Sequence, residues 1–502
     1  MLARLTAAAV IGVDAVPVSV EVDVSSGGLP GVTMVGLPDA TVRESRDRVR
    51  TAIRNSGLPF PGSRITVSLA PTDLKKVGAA FDLPIALGIL AASGALPVRD
   101  RPAFTIVGGL SLDGGIPAMH GLLPIAVAAR RGSRAGLIFP EQNLYEAGIV
   151  EGLPLHPVRS LSEAVAKLAS GSPQPVEAPA RRPPADAEWA DDLADVRGQA
   201  VGRRALEIAA AGAHHLLLSG PPGAGKTMLA RRLPSLLPSL GFDEALTITT
   251  IHSVAGLLRP GEGLLTLRPF RAPHHTCSDV ALVGGGGVPR PGELSLAHSG
   301  VLFLDELPEF SRRVLESLRQ PLEQGVVHIA RANRTLILPA RVTLVGAMNP
   351  CPCGYLGDIR NRCKCPASVV ERYQRRLSGP LRDRFDLTVH VQAVAWAELR
   401  DDHPEESSAA VKVRVVAART RQLDRQGTLN AQLDGRRLRT ICQLANPKAD
   451  AIIKRAVDKL NLSARAVTRV LRVARTIADL ALCETVEAEH VAEALQFRTG
   501  DK

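Results

Sequence analysis

The glycine-rich octapeptide at residues 220–227, Gly-Pro-Pro-Gly-Ala-Gly-Lys-Thr, constrains the fold more than any other feature of this sequence. An apolar run at residues 216–218 precedes it and a helical pattern begins at Met228, which is the strand–loop–helix context that a P-loop requires. Glycines allow backbone N–H groups to turn toward phosphates, and the helix N-terminus adds a partial positive charge. The motif therefore predicts an α/β P-loop core that binds ATP.

The residues of the P-loop have distinct expected roles. Lys226 is expected to reach the β- and γ-phosphates, and the Thr227 hydroxyl is expected to bind Mg²⁺. A degenerate loop that binds no nucleotide is the alternative, and the correct flanking elements count against it. The residues predicted to contact the nucleotide are Gly220, Pro221, Pro222, Gly223, Ala224, Gly225, Lys226 and Thr227.

Polar residues at the ends of two later apolar runs complete the predicted nucleotide site. The run at residues 301–304 ends in Asp305, a predicted Mg²⁺ ligand, and in Glu306, which can polarise the attacking water. The run at residues 342–348 ends in Asn349, which can orient that water or contact the γ-phosphate. An Asn before Pro can also simply start a turn, but its position after the other two motifs favours a catalytic role.

An arginine-rich segment at residues 381–386, Leu-Arg-Asp-Arg-Phe-Asp, follows these motifs. If subunits form a ring, an arginine here can reach the γ-phosphate of the neighbouring subunit and stabilise transition-state charge. Arg384 is the predicted arginine finger, with Arg382 as the second choice. A surface ion pair with Asp383 or Asp386 is the alternative.

Length, charge and cysteine content limit the class of protein. A chain of 502 residues predicts three or four domains. The formal net charge of +11 favours an acidic partner such as nucleic acid, although a diffuse excess of arginine is also common on solvated surfaces. Aromatic residues make up only 3%, so base-stacking platforms cannot be abundant. Seven cysteines without a secretion signal predict a reducing compartment, the cytoplasm.

The N-terminal sequence and the composition shifts give the domain boundaries. The apolar residues 1–13 precede valines that alternate with polar residues over 16–24, which predicts a strand rather than a signal peptide, and no apolar run is long enough to cross a bilayer. The predicted domains are residues 1–168, a proline-rich linker at 169–192, an ATPase core at 193–392 and a helical lid at 393–502. Individual helices are predicted over residues 81–96, 160–168 and 487–497.

Four of the seven cysteines lie within fifteen positions, as Cys351, Cys353, Cys363 and Cys365. Four thiolates suit a tetrahedral structural Zn²⁺, which would hold a loop too short to hold itself. Two-residue spacers are the commoner zinc pattern, so a reduced loop and a pair of disulfides remain alternatives.

Longer motifs surround these sites and carry a family resemblance. They are Asp-Val-Arg-Gly-Gln at 195–199, Arg-Ala-Leu-Glu-Ile-Ala-Ala at 204–210, Phe-Arg-Ala-Pro-His-His-Thr at 270–276, Leu-Val-Gly-Gly-Gly-Gly at 282–287, Leu-Glu-Gln-Gly at 322–325, Leu-Pro-Ala-Arg at 338–341 and Gly-Ala-Met-Asn-Pro-Cys-Pro-Cys at 346–353. Nearly end to end, the chain resembles magnesium-chelatase-related AAA+ ATPases, and specifically the ComM/YifB family of competence-associated proteins.

This resemblance implies a homo-hexameric ring that uses ATP and Mg²⁺ to move single-stranded or branched DNA. Such a helicase promotes branch migration of recombination intermediates in natural transformation, with other recombination proteins as further partners and without a membrane. Residues 272–287 and a hairpin at 327–338 would face the central channel, with Arg331 and Arg334 as candidates for phosphate contact. A solvated hairpin tip is the alternative for these two arginines. The resemblance also implies that Arg465, in the helical lid, is a second-sensor arginine that reaches ATP.

Residues 1–168 resemble the proteolytic domain of Lon, an α+β domain of the ribosomal S5 domain 2-like type. Proteases of this kind use a serine activated by a lysine. Ala80 stands where the serine is expected, and residues 115–124 contain His120 but no lysine. The resemblance therefore implies assembly, DNA docking or partner binding rather than peptide hydrolysis.

Two other functions are compatible with the ATPase motifs. A magnesium-chelatase motor is one, although chelatase motor subunits carry no Lon-like domain. A protein unfoldase without protease activity is the other, and it would be expected to have an aromatic residue in its pore loop. Residues 272–287 contain no aromatic side chain other than the imidazoles of His274 and His275, which favours DNA.

Overall fold

The computed structural model describes residues 1–498 except 26–28, 37–38, 73–75, 77, 97–103, 133–134, 171–172, 179–188, 260, 288, 332–333, 359–360, 395 and 401–404. The chain divides into two compact units. The N-terminal unit comprises Met1–Ala185, Phe242–Leu265 and Gly286–Pro291, and the second unit comprises Asp186–Gly241, Thr266–Gly285 and Gly292–Lys502.

The strands of the described residues, in chain order, are β1 Leu2–Ile11, β2 Asp14–Ser25, β3 Gly31–Val35, β4 Arg64–Ala70, β5 Phe104–Ile106, β6 Gly136–Pro140, β7 Leu155–Val158, β8 Leu216–Ser219, β9 Phe270–Arg271, β10 Gly284–Gly285, β11 Arg290–Pro291, β12 Val301–Leu304, β13 Val326–Arg331, β14 Arg334–Pro339, β15 Thr343–Met348 and β16 Leu387–His390.

The α-helices of the described residues are α1 Ala40–Asn55, α2 Asp82–Ala92, α3 Leu122–Gly132, α4 Leu144–Ala147, α5 Leu161–Ala169, α6 Ala200–Gly212, α7 Lys226–Leu236, α8 Phe242–Ala255, α9 Asp279–Val283, α10 Glu293–Leu296, α11 Arg312–Ser317, α12 Arg319–Gln324, α13 Ala367–Gln374, α14 Gly379–Arg382, α15 Trp396–Leu399, α16 Ser408–Gln426, α17 Gly435–Ile441, α18 Pro447–Leu460, α19 Ala464–Leu480 and α20 Ala488–Gln496.

The N-terminal unit is built on a seven-stranded mixed sheet in the order β3-β4-β2-β1-β5-β6-β7. Strand β2 pairs antiparallel with β1 and β4, whereas β5, β6 and β7 extend the sheet in parallel. Val18, Val20 and Val22 of β2 are fully buried because alternate residues of a strand point to the same face. The strand predicted from these alternating valines is confirmed.

Helix α2 packs on β1 and β2 and against α1 and α5, so every one of its residues is buried. It confirms the body of the helix predicted over residues 81–96, although the helix ends at Ala92. Helix α5 confirms the second predicted helix, and the Ser160 hydroxyl caps it by accepting a hydrogen bond from the backbone N–H of Glu163 over 3.2 Å.

A buried carboxylate ties residues 242–265 into the N-terminal unit. Glu146 accepts hydrogen bonds from the backbone N–H of Leu123 and the Asn143 side chain, both over 2.8 Å, and from the Ser253 hydroxyl of α8. Helix α8 also packs against α3. Because a buried carboxylate needs hydrogen-bond donors, this group specifies how α8 sits in its unit.

The second unit contains a five-stranded parallel sheet in the order β16-β8-β15-β12-β9. Strands β12 and β15 are buried along their length, and helices α6 and α7 share one hydrophobic core with them. From α16 onward the described elements of this unit are helices joined by short loops, and α20, which confirms the helix predicted over 487–497, packs against α18 and α19. This is the α/β P-loop core with a helical C-terminal region that the sequence predicts.

The predicted linker is described only in part, because residues 179–188 lie outside the described residues. Ahead of this gap, Val176 forms an antiparallel bridge with Leu155. None of the helices in the described part of the chain combines the length and apolarity needed to span a bilayer.

Candidate nucleotide site

The P-loop connects the carboxyl end of β8 to the first residue of α7. Its first glycine, Gly220, lies against the Val391 carbonyl, where an added Cβ would collide with the backbone. The loop turns over Gly223 and Gly225, whose φ angles of 73° and 91° lie in the left-handed region that favours glycine. The sequence therefore fixes a short glycine loop whose backbone ends at the N-terminus of a helix.

The Lys226 amine lies at the centre of this loop. Its Nζ donates hydrogen bonds to the carbonyl oxygens of Gly220 and Pro221 over 2.7 and 2.9 Å, and to Oδ1 of Asn349 over 3.0 Å. Burial lowers the pKa of this amine, while the charge of Asp305 acts in the opposite direction. A positive charge held by three oxygens can exchange some of them for phosphate oxygens without leaving the loop.

Side-chain oxygens that can bind a cation lie beside this lysine, where parallel strands end at the same edge of the sheet. The Thr227 hydroxyl donates to Oδ2 of Asp305 over 2.9 Å, and Oδ1 of Asp305 accepts from the backbone N–H of Glu306 over 2.9 Å. A hydroxyl and a carboxylate are the hard oxygen ligands that Mg²⁺ prefers, so these residues fit a Mg²⁺ bound with nucleotide. When bound, Mg²⁺ would neutralise phosphate charge.

Glu306 follows the acidic strand end and is exposed, with a φ of 50°. Its carboxylate lies 3.3 Å from Nδ1 of His275. Residue 275 reaches this position because β9, at residues 270–271, pairs in parallel with β12. The sequence named His275 only as a residue of a predicted pore segment, and its contact with the predicted catalytic base was missed.

Gln199 is a second contact that the sequence did not predict. Its side-chain Nε2 donates to the Ala224 carbonyl of the P-loop over 3.1 Å and to the Gln392 carbonyl over 2.6 Å. The residue therefore joins the loop to the backbone beyond β16. Its place in the Asp-Val-Arg-Gly-Gln motif ahead of α6 was the available signal.

The predicted arginine finger lies beside α12. Nη2 of Arg384, whose side chain is 25% exposed, is 2.9 Å from Oε2 of Glu323. The neighbouring acids Asp383 and Asp386 lie 3.5 and 3.9 Å from the buried Arg469 instead. Arg384 thus has an intramolecular partner, but a different one from the two that the sequence suggested.

The other predicted arginines are placed as follows. Arg465 is exposed in the first turn of α19. Arg331 and Arg334 face each other as the last registered pair of the β13–β14 hairpin, and their side chains lie outside the described residues. Arg382, the second choice for the finger, is the last residue of α14.

Buried polar groups connect the parallel sheet to α19. The Asp386 carboxylate lies 3.3 Å from Nδ1 of His214, whose Nε2 lies 2.8 Å from the Thr476 hydroxyl. Burial alone would raise the pKa of Asp386, but the hydrogen bond to His214 and the charges of His214, His215 and Arg469 outweigh it and lower that pKa to about 2. The carboxylate therefore stays ionised and holds α19 to the core.

The four clustered cysteines form a compact group of free thiols. Sγ of Cys351 lies 3.4 Å from Sγ of Cys353 and 3.7 Å from Sγ of Cys363, and the latter two are 3.6 Å apart. The sulfur atom of Cys365 completes the group, and all four sulfur atoms lie within 4.8 Å of one another. Hydrogen bonds from the Tyr355 and Lys364 backbones lower the pKa of Cys353 to about 6, whereas the pKa values of Cys363 and Cys365, although a backbone hydrogen bond lowers them, are raised by burial and by hydrogen bonding to Cys353. The disulfide alternative does not match these distances.

A basic cleft lies beside these elements, at the start of α11 and along α13. It is lined by Pro308, Glu309, Phe310, Arg312, Arg372, Arg375 and Arg376. Arg376 is paired with Glu309 over 2.8 Å and Arg375 with Glu371 over 2.5 Å. Arg312 and Arg372 are exposed, so the cleft offers positive charge to an anionic partner.

The parallel sheet, the P-loop after β8 and the acidic pair after β12, which is separated from β8 by β15, define a P-loop ATPase of the AAA+ type. The chain matches the sequence families described as "Magnesium chelatase, subunit ChlI" over residues 192–399, "Subunit ChlI of Mg-chelatase" over 20–143 and "Magnesium chelatase, subunit ChlI C-terminal" over 405–498.

Individual relatives narrow this class. The chain is 45% identical over 502 residues to the protein YifB of Salmonella typhimurium, covering 100% of this chain and 98% of that protein. It is 44% identical over 506 residues to "Competence protein ComM" of Haemophilus influenzae, covering 99% and 97%. It is also 25% identical over 288 residues to "Holliday junction branch migration complex subunit RuvB" of Mycobacterium avium, covering 54% and 64%. The chain belongs to the ComM/YifB family of magnesium-chelatase-related proteins, as the sequence motifs indicated.

Proposed function

We propose that this chain is the subunit of a homo-hexameric, ATP-driven DNA motor that promotes branch migration of recombination intermediates. The observation that carries the ATPase part is the convergence of Lys226, Thr227, Asp305 and Asn349 through hydrogen bonds of 2.9–3.0 Å. These residues come from separate parts of the sequence and meet at one edge of the parallel sheet. ATP with Mg²⁺ is the cofactor that such a set of groups suits.

The chain's own residues divide the work of hydrolysis in this proposal. Lys226 holds the β- and γ-phosphates, Thr227 and Asp305 bind the cation, and Glu306 takes a proton from the attacking water. Asn349 orients that water or the γ-phosphate. Arg384 of a neighbouring subunit would exchange Glu323 for the γ-phosphate, because a guanidinium binds carboxylate and phosphate oxygens in the same way.

Three observations support DNA as the partner. The formal net charge is +11, and exposed Arg312 and Arg372 line a basic cleft in the ATPase unit. Guanidinium groups bind phosphate whatever the base sequence, as a motor that moves along DNA requires. The likeness to a protein named for competence and to a Holliday junction branch migration subunit favours branched DNA. The free cysteines suit the reducing cytoplasm, where the motor would act together with other recombination proteins.

The N-terminal unit is proposed to be a Lon-like domain that has lost its protease function. Ala80 lies in a short helical turn ahead of α2, and its carbonyl accepts from the Gly108 backbone over 2.9 Å. Alanine offers no nucleophile at this position. The domain is therefore assigned to assembly or to docking of DNA or another protein.

A magnesium-chelatase motor is the second candidate, because the matching families are described by that enzyme's subunit. ATP turnover with and without DNA separates the two candidates. Turnover by the purified chain should rise several-fold with single-stranded or four-way-junction DNA, and the Glu306→Gln variant should remain inactive under all conditions. Turnover that ignores every DNA at both low and moderate salt would refute the DNA motor and favour a chelatase or an unfoldase.

A further inference from the structure

We infer that Cys351, Cys353, Cys363 and Cys365 bind one Zn²⁺, and that this metal holds the P-loop in its binding conformation. The inference rests on the proposed nucleotide site and is independent of DNA. The segment that carries these cysteines, residues 351–365, is called the cysteine loop. The inference gives this loop a role in nucleotide affinity as well as in local folding.

The sulfur positions match a tetrahedral metal site. With Zn–S bonds of about 2.3 Å, the sulfur atoms of a tetrahedron lie about 3.8 Å apart. The observed distances among Cys351, Cys353 and Cys363 are 3.4, 3.7 and 3.6 Å. A disulfide would require about 2.05 Å. Four thiolates leave no open position for a substrate, which is the arrangement of a structural zinc site.

The loop has little else to hold it. Among its described residues, 351–358 and 361–365, only Cys351 and Gly354 are buried. Apolar burial therefore contributes little to its stability. A metal that joins both ends of the loop supplies the missing constraint, because metal binding is coupled to folding in small loops of this kind.

The loop begins at the nucleotide site. Asn349, two residues before the first cysteine, accepts the hydrogen bond from Lys226. The Pro350 carbonyl accepts from the Gln374 side chain over 3.2 Å, and the Cys351 carbonyl accepts from the Gly354 backbone over 2.9 Å. Fixing Cys351 and Cys353 on a metal therefore also fixes the turn that positions Asn349.

The same turn lies directly on the P-loop. A Cβ added at Gly354 would be 2.5 Å from Cδ and 2.8 Å from Cγ of Pro222, and the Gly354 φ of 84° is itself unfavourable for other residues. Pro222 is otherwise an exposed residue. The cysteine loop thus packs against the P-loop and restricts its movement. Release of the metal would allow the P-loop backbone that binds the phosphates to move.

The test is the affinity for ADP, which contacts the P-loop but has no γ-phosphate. The purified 502-residue chain should contain about one zinc ion per chain by mass spectrometry of metals. Chelation, followed by removal of the chelator and restoration of Mg²⁺, should weaken binding of a fluorescent ADP analogue about tenfold. Added Zn²⁺ should restore it.

Variants separate zinc binding from its effect on the P-loop. Cys363→Ser should lose zinc and bind ADP about tenfold more weakly, whereas the matched Cys483→Ser, outside the cluster, should change neither. Gly354→Ala should keep zinc yet bind ADP more weakly, because its methyl group would displace Pro222. This last variant does not depend on whether a metal-free chain folds.

Each contrary result has a definite meaning. The inference would be overturned if the purified chain contained no zinc. It would also be overturned if ADP affinity were unchanged both in the zinc-free protein and in Gly354→Ala, and neither result would bear on the proposed DNA motor. A chain that shows these zinc effects but no stimulation by DNA would overturn the proposed motor and leave the inference standing. A chain that binds zinc but no nucleotide would overturn both.

Discussion

The Lys226 amine and the Asn349 side-chain oxygen are joined by a hydrogen bond of 3.0 Å, which links the P-loop to the end of β15. Lys226 is the residue expected to bind the γ-phosphate. Asn349 therefore lies next to the position where ATP differs from ADP. This placement supports the prediction that Asn349 senses the γ-phosphate rather than forming a general part of the nucleotide pocket.

Asn349→Ala should accordingly lower ATP turnover by about a hundredfold, since one positioned donor near developing charge contributes about that much. ADP affinity should change by less than about twofold, because ADP lacks the group that Asn349 would contact. Steady-state turnover and ADP titration on the same preparation give both values. An equal loss of ADP binding would show that Asn349 only supports the P-loop.

Glu306→Gln should keep ATP binding while reducing turnover by at least about a hundredfold, because an amide cannot accept the proton from the attacking water. Glu316→Gln is the matched control, since Glu316 is a surface acid paired with Arg319 over 2.7 Å. The control should hydrolyse ATP at the normal rate. Normal turnover in Glu306→Gln would refute its role as the base.

The sequence was sufficient to predict the nucleotide-site motifs because each is local. Residues 216–227 are a buried strand followed by a glycine loop, residues 301–306 are a buried strand followed directly by two acids, and the carboxyl ends of parallel strands meet at one edge. Strand order was not predictable, because hydrophobic periodicity does not say which strands pair. β9 has only two residues, yet its pairing with β12 brings His275 to Glu306.

Other features depend on long-range partners in the same way. Glu323 and Arg384 are 61 residues apart, so no local pattern indicated their ion pair. Helix α8 carries no local signal for its unit, which is shown by its packing against α3 and by the hydrogen bond from Ser253 to Glu146. The spacing of the cysteines predicted a cluster, whereas the contact of Gly354 with Pro222 depends on how two distant loops fold together.

Arg384→Ala should lose most ATP turnover, yet recover part of it when mixed with Lys226→Ala subunits. In mixed rings an intact P-loop and an intact arginine can face each other across a subunit boundary. Turnover measured over a range of mixing ratios tests this directly. Absence of any recovery would contradict a site shared between subunits.

Glu323→Gln provides the control for that variant, because it removes the ion pair of 2.9 Å and leaves the arginine in place. It should retain turnover within about threefold, as an exposed pair contributes little to stability. If Glu323→Gln were as inactive as Arg384→Ala, the arginine would act through its intramolecular partner.

Acid should weaken the second unit through His215. Burial lowers the pKa of this imidazole, against the charge of Asp386, so the folded chain keeps it neutral where the unfolded chain binds a proton. The neutral imidazole therefore contributes fully to the free energy of unfolding above the unfolded-state pKa of about 6.5. This contribution falls as the pH drops toward the lower pKa of the folded state. Urea unfolding at several pH values should show this loss, and His215→Asn, which keeps an acceptor for the Leu344 backbone N–H, should flatten it.

The basic cleft gives a prediction about DNA that does not involve the catalytic residues. Arg372→Ala should weaken DNA binding and reduce the slope of log affinity against log salt by about 0.7–0.9, the value expected for one lost phosphate contact. Arg436, exposed on α17 outside the cleft, is the matched control and its alanine variant should leave the slope unchanged. Because both substitutions remove one positive charge, a general effect of net charge would appear equally in both. Only a local contact in the cleft makes Arg372→Ala the weaker binder, and equal slopes would place the DNA elsewhere on the protein.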